Sequence, residues 1–152
     1  MDLRAFHSGD LEILYRIDQA CFPPGIAYSR GELSRFIGHR GSKTWVAEEK
    51  SEVAGFLIAS RQPPSVGHIV TIDVVERWRG RGVGTLMMDA AEKWAHREGV
   101  RSIYLETAED NTAAQRFYAG RGYRKVERIE NYYTDGTAAW VMMKGLNKTT
   151  NR

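Results

Sequence analysis

Cysteine is almost missing from this sequence. Cys21 is the single one in 152 residues, which excludes an internal disulfide framework and a cysteine zinc cluster. The four histidines (His7, His39, His68 and His96) are scattered without metal-ligand spacing, so no metal is expected. No apolar run is long enough to span a bilayer, and Met1-Asp2-Leu3-Arg4 lacks the basic-then-apolar order of a secretory leader. Internal repeats, low-complexity tracts and inter-domain linkers are also lacking. Charge of one sign is scarce too. The net charge is +3, and Lys and Arg are spread along the chain rather than gathered into the block that marks a nucleic-acid arm. These absences predict a soluble, cytoplasmic protein in a reducing compartment, with no membrane or nucleic-acid partner.

What is present is ordinary for a globular chain: 42% hydrophobic and 27% charged residues. The length suits one domain with a substantial core, expected over residues 1–146, followed by a polar tail over 147–152. Strand and helix patterns alternate between turn signals. Leu3 to Phe6 reads as a strand, and Asp10 to Cys21 as a helix with Leu14, Ile17 and Cys21 at helical spacing. Ser29, with Glu32 three residues on, opens a second helix through a capping box. Trp45–Glu48 and Val53–Ser60 read as a strand pair, and Ile69–Val75 as a central strand. The longest helix runs from about Gly82 to Glu98, with Gly99 ending it. Ile103–Thr107 is a strand, Asn111–Arg121 a short helix, and Tyr123–Tyr133 with Ala138–Lys144 a final hairpin. The layout is mixed α/β, antiparallel at first, with a strand–helix–strand unit near the middle.

The most informative segment is Arg79-Gly80-Arg81-Gly82-Val83-Gly84-Thr85, between the central strand and the long helix. Three glycines in five positions let the main chain turn sharply and approach a ligand. The first N–H groups of the helix lack internal partners, and its dipole adds positive potential there, so the turn makes a diphosphate cradle with Arg79 and Arg81 at its rim. A packing role for the glycines is the bland alternative. The phosphate loop of nucleotide hydrolases would need a lysine after Gly84, where Thr85 stands. A dinucleotide fingerprint would need glycine at Thr85; Glu106 lies near its acidic position, but the strands upstream look antiparallel. An RNA-binding Arg-Gly segment is disfavoured inside a folded pattern.

A second segment, Asn111-Thr112-Ala113-Ala114-Gln115-Arg116-Phe117-Tyr118-Ala119-Gly120-Arg121-Gly122-Tyr123, resembles the Asn-x-x-Ala-x-x-Phe-Tyr-x-x-x-Gly-Phe/Tyr motif of the GNAT acetyltransferase superfamily. Arg79-x-x-Gly82-x-Gly84 resembles that superfamily's acetyl-CoA signature. The resemblance implies a GNAT fold: a central, mostly antiparallel twisted sheet of about seven strands flanked by about four helices. Within the superfamily the chain looks like the RimI/Ard1 type, which acetylates protein N-terminal amines. Leu105-Glu106 ahead of Asn111, Asn131-Tyr132-Tyr133 with Asp135-Gly136, and Cys21-Phe22-Pro23-Pro24 with Tyr28-Ser29 carry that likeness. Three positions depart from the pattern. Glu76 stands where a proline is common, Thr107-Ala108-Glu109-Asp110 replaces Val-Arg-x-Ser, and Thr137-Ala138-Ala139 replaces Glu-Asp-Ala. The last two bear on which substrate is accepted.

The resemblance implies acetyl-CoA as co-substrate, no metal, and a protein or peptide N-terminus as acceptor, ribosomal proteins among them, in a monomer or homodimer. Main-chain groups of Ile72, Asp73 and Val74 would hold the pantetheine and the thioester carbonyl. A free strand N–H is a suitable carbonyl donor. Glu106 resembles the proton acceptor and Tyr118 the general acid for the coenzyme thiolate. A glutamate (pKa about 4.3) is a modest base, better matched to an α-amine at about 7.7–8.0 than to a lysine at about 10.4. A phenol near 10 and a thiol near 8.5 are close enough to exchange a proton over a short hydrogen bond. Asn111 is a helix N-cap, a cofactor partner, or both. Tyr28, Tyr132 and Tyr133 would flank the peptide groove. His68, at the start of the central strand, reads first as a satisfied structural histidine and only second as a rival base. Against N-terminal transfer stand acetylation of a small amine or a lysine side chain, and a non-catalytic acyl-CoA-binding module.

Overall fold

The computed structural model describes residues 1–146; the polar tail expected over 147–152 lies outside the described residues. Seven strands form one sheet: β1 (Asp2–Ala5), β2 (Ser42–Glu49), β3 (Glu52–Gln62), β4 (Val66–Val74), β5 (Ser102–Ala108), β6 (Arg124–Ile129) and β7 (Ala139–Gly145), in the order β1-β2-β3-β4-β5-β7-β6. Every neighbouring pair is antiparallel except β4–β5. The helices are α1 (Leu11–Cys21), α2 (Arg30–Gly38), α3 (Val83–Arg97) and α4 (Thr112–Gly120). No helix among the described residues is long and apolar enough to cross a membrane.

The sheet is covered on both faces. Leu14 and Ile17 of α1 and Leu33 of α2 pack on Val46, Phe56 and Ile58. On the other face Val83, Met87, Ala91 and Ala95 of α3, four residues apart, pack on Trp45, Ala47, Leu57 and Ile69. Small residues draw α3 onto the strands. A Cβ on Gly55 would stand 2.4 Å from Asp73 O and 3.2 Å from Met87 Cε. Ser29 caps α2 as its sequence predicts: Glu32 N–H donates to Ser29 Oγ at 3.1 Å, and Ser29 N–H to Glu32 Oε1 at 2.9 Å.

Two irregularities in β4 create the site. First, its register against β3 slips by one at Val70: Thr71 pairs with Ile58, yet Ile69 pairs with Ala59. This bulge puts Ile69 in the α3 core and turns Thr71 and Asp73 to the opposite side of the sheet, with Ile58 and Phe56. Second, β4 and β5 pair only through Val66–Ser102, Gly67–Ile103 and His68–Tyr104. Beyond these the strands part, and β4 from Ile69 onward meets no strand on that side. β4 begins three residues before the sequence-predicted Ile69, because pairing to β3 carries Gly67 and His68 into the ladder.

Candidate active site

A cavity of about 450 Å³ fills the gap between the parted strands. Ile72 of β4, Glu106 of β5, Asn111 and Tyr118 of α4, and Tyr28, Tyr132 and Tyr133 from two loops all line it. A second, more open cavity of about 740 Å³ lies beside it, walled by Tyr15, Gln19, the 24–29 loop, Phe36 and Thr134. Both share Ile26, Tyr28, Val70, Glu106, Tyr132 and Tyr133, so Glu106 stands where they meet.

Glu106 is not alone. His68 Nε2 lies 2.7 Å from Glu106 Oε1, and the His68 ring stacks on Tyr104 with centroids 4.4 Å apart. His68 is thus a satisfied histidine, as the sequence favours, but its partner is Glu106 itself, and it lines the open cavity. The signal was the parallel pairing. With His68 opposite Tyr104, Glu106 follows two residues on along the same face of β5.

Tyr118 is 8% exposed, held by Phe117 and Tyr123 rings at 5.5 and 5.9 Å. Burial, and then the nearby Asp73 carboxyl, push its phenol well above the ordinary value, so it keeps its proton. Its hydroxyl has no hydrogen-bond partner among the described residues. Asn111 Oδ1 accepts Ala114 N–H at 3.2 Å, which establishes the helix cap. Burial likewise raises Tyr28 and Tyr133, and brings Tyr132 to about 12.

The glycine-rich turn lies outside both cavities, at the start of α3. Gly80 and Gly82 have φ +74° and +86°, and a Cβ on either would meet nothing within 4 Å, so the turn is open as well as tight. The first intrahelical bond is Leu86 N–H to Gly82 O at 2.9 Å; Val83, Gly84 and Thr85 present their N–H groups ahead of it. A Cβ on Gly84 would come within 3.3 Å of Phe117 and 3.9 Å of Ile72, which ties the turn to the cavity wall. This exposed row of N–H groups fits a diphosphate, and the unpaired edge of β4 fits an amide-bearing chain. Arg79 departs from the expected rim position. Its Nε donates to Val74 O at 2.9 Å and a terminal nitrogen to Cys21 Sγ at 3.4 Å. Arg81 rests on the Trp78 ring at 5.1 Å. The Asp73 side chain is buried, so only its main chain is available to a ligand.

The two loops flanking the acceptor side touch. Thr134 donates through both N–H and Oγ1 to Gly25 O, at 3.2 and 2.9 Å. Gly25 has φ +93°, and a Cβ there would stand 2.8 Å from Asp135 Cβ. Sequence reasoning placed aromatics beside the groove but missed this bridge. Among the described residues no group of three His, Cys, Asp or Glu could hold a metal ion.

The acetyltransferase (GNAT) family matches residues 11–123. An uncharacterized N-acetyltransferase of Methanocaldococcus jannaschii is 30% identical over 145 residues, covering 95% of this chain and 91% of its own. N-alpha-acetyltransferase 30 of Schizosaccharomyces pombe is 35% identical over 117 residues, 74% of this chain and 78% of its own. The crystal structure of Ard1 from Thermoplasma volcanium superposes with a TM-score of 0.87 at 27% identity, over 97% of this chain and 98% of that one. Sheet order, parted strands, open glycine turn and these relatives agree: the chain belongs to the acetyltransferase (GNAT) family and is an N-acetyltransferase that takes its acetyl group from acetyl-CoA.

Proposed function

We propose that this enzyme acetylates the N-terminal α-amine of a protein or peptide. The observation that carries the reading is Glu106, paired with His68 at the junction of the two cavities. One cavity runs along the unpaired edge of β4; the other is roofed by the Gly25–Thr134 bridge. A free chain end threads beneath such a roof more readily than a side chain in the middle of a folded surface. N-alpha-acetyltransferases among the relatives support the same acceptor.

Acetyl-CoA, when bound, supplies the thioester. The N–H groups of Val83, Gly84 and Thr85 would hold its diphosphate, and the free edge of β4 around Ile72, Asp73 and Val74 its pantetheine. The Glu106–His68 pair receives the proton that the amine loses as its nitrogen bonds to the carbonyl carbon. Tyr118 would donate a hydrogen bond to the departing sulfur, and its proton as the carbon–sulfur bond breaks; from a phenol raised this far the transfer is uphill, so it is the charge developing on the sulfur, held by that same hydrogen bond, that would draw the proton across. Holding the amine against the thioester supplies a large share of the rate. Asn111 keeps α4, and with it Tyr118, in place.

The test is thiol release from acetyl-CoA with a library of peptides bearing free N-termini, ribosomal-protein sequences included. N-terminally blocked peptides carrying an internal lysine, and a panel of small amines, serve as controls. Turnover confined to free N-termini is expected. Equal turnover of blocked peptides would overturn the assignment.

A further inference from the structure

Two carboxyls meet in the interior, and the mechanism uses neither. Asp18 of α1 is 0% exposed and Asp73 of β4 is 1% exposed, and after burial itself the Asp18 carboxyl is the neighbour that acts most on that of Asp73. Their outer oxygens have neutral donors. Asp18 Oδ2 accepts Tyr28 N–H at 2.7 Å, and Asp73 Oδ1 accepts the Thr71 hydroxyl at 2.6 Å. Asp18 Oδ1 and Asp73 Oδ2 remain, both buried and both without a donor among the described residues. Two ionised carboxylates cannot share such a site, whereas one proton between them satisfies both oxygens at once.

We propose that Asp18 and Asp73 share a single proton, and that this acid–carboxylate pair is a positioning element that locks the acceptor wall to the coenzyme strand. Asp73 lies between Ile72 and Val74 on the stretch of β4 that has no strand on its β5 side. Asp18 holds Tyr28 by its N–H, while Gln19 Nε2 donates to Tyr28 O at 2.7 Å and the Tyr28 hydroxyl donates to Val70 O at 3.3 Å. The pair thus joins the wall that faces the incoming amine to the strand that faces the thioester.

The surroundings single out this proton. Burial and Asp18 hold the Asp73 carboxyl well above the ordinary carboxyl range. Cys21 of α1 faces the pair, and burial with the Asp73 charge pushes its thiol up to about 11. Tyr118 of α4 is also raised, as is Tyr28. Arg79, after β4, adds a positive charge that favours the ionised form of Asp73. A raised native pKa means the pair's contribution to stability falls as pH rises through it, opposite to an ion-paired aspartate.

The consequence for the acceptor rests on the acetyl-transfer reading above; the shared proton does not. Asp18→Asn separates the two. Its oxygen must serve Tyr28 N–H, so its NH₂ donates to Asp73, and the link survives without a titrating proton. Infrared spectra of the wild type at neutral pH should show a buried protonated-carboxyl band that is absent from Asp18→Asn. No such band, or an unchanged one in the variant, overturns the shared proton. Hydrogen exchange of the Tyr28 amide should stay slow in Asp18→Asn and rise about tenfold or more in Asp18→Ala; equal protection in both overturns the positioning role. With a peptide the wild type acetylates, Asp18→Ala should raise acceptor KM about tenfold with kcat within about twofold, and Asp18→Asn should largely restore KM and flatten its alkaline rise. Absence of any peptide turnover by the wild type would defeat the acceptor assignment while the spectroscopic and exchange results still decide the pair.

Discussion

Tyr118→Phe removes one oxygen and tests the proton donor directly. That hydroxyl has no hydrogen-bond partner among the described residues, so its loss leaves no buried donor or acceptor stranded. The ring keeps its contacts with Phe117 and Tyr123, and the site gains apolar character. Stability should therefore hold within about 0.5 kcal/mol. A positioned acid contributes roughly 10²–10⁴-fold, and a thiolate is a tolerable leaving group without help, so the lower end applies: kcat falls about 10²-fold, or about 2.7 kcal/mol in the barrier. The cradle at the start of α3 and the edge of β4 are untouched, so KM for acetyl-CoA stays within about twofold. Thiol release at saturating peptide, with thermal unfolding of both proteins, measures each quantity. A variant that retains kcat within about threefold removes Tyr118 from the chemistry. One that loses kcat only in proportion to lost stability shows its role to be packing.

Glu106→Gln should slow turnover most at low pH, where the acceptor amine is protonated and most needs a base; a pH–rate profile parallel to the wild type would argue against Glu106 as proton acceptor. Gly55→Ala drives a methyl to within 2.4 Å of Asp73 O, so it should destabilise the fold by about 1–3 kcal/mol and raise KM for acetyl-CoA; urea denaturation and initial rates read both, and an unchanged midpoint would refute the close approach. Gly25→Ala must leave φ +93° or collide with Asp135, so the Thr134 bridge opens and acceptor KM rises roughly tenfold with kcat less affected; wild-type KM would show that the roof does not shape the acceptor path.

The regular elements are legible because their signals are local. The Ser29–Glu32 box sits where serine and glutamate at that spacing place it, and α3 begins and ends within one residue of its glycine-flanked apolar stripe. Pairing, by contrast, extends β3 to Gln62 and β4 back to Val66, past residues with little strand character of their own. The last hairpin shows the reverse. Its first arm stops at Ile129 and not at Tyr133, because Asn131 takes φ +51° and breaks the ladder. Within the site, Glu106, Asn111 and Tyr118 are singled out by the resemblance to the GNAT motifs, and all three line one cavity. The His68–Glu106 and Asp18–Asp73 contacts span 38 and 55 residues, so no local pattern records them. The bulge at Val70 is equally silent, since a β-branched run looks the same with or without an extra residue.

That one extra residue constrains how the gene can change. Exchanging Val70 for another side chain leaves the parity of β4 intact, but deleting it would interchange inward and outward positions for one whole arm of the strand. Thr71 and Asp73 would then be driven into the oily layer beneath α3, or His68 carried away from Glu106. Descendants of this sequence can drift in composition here, but not in length.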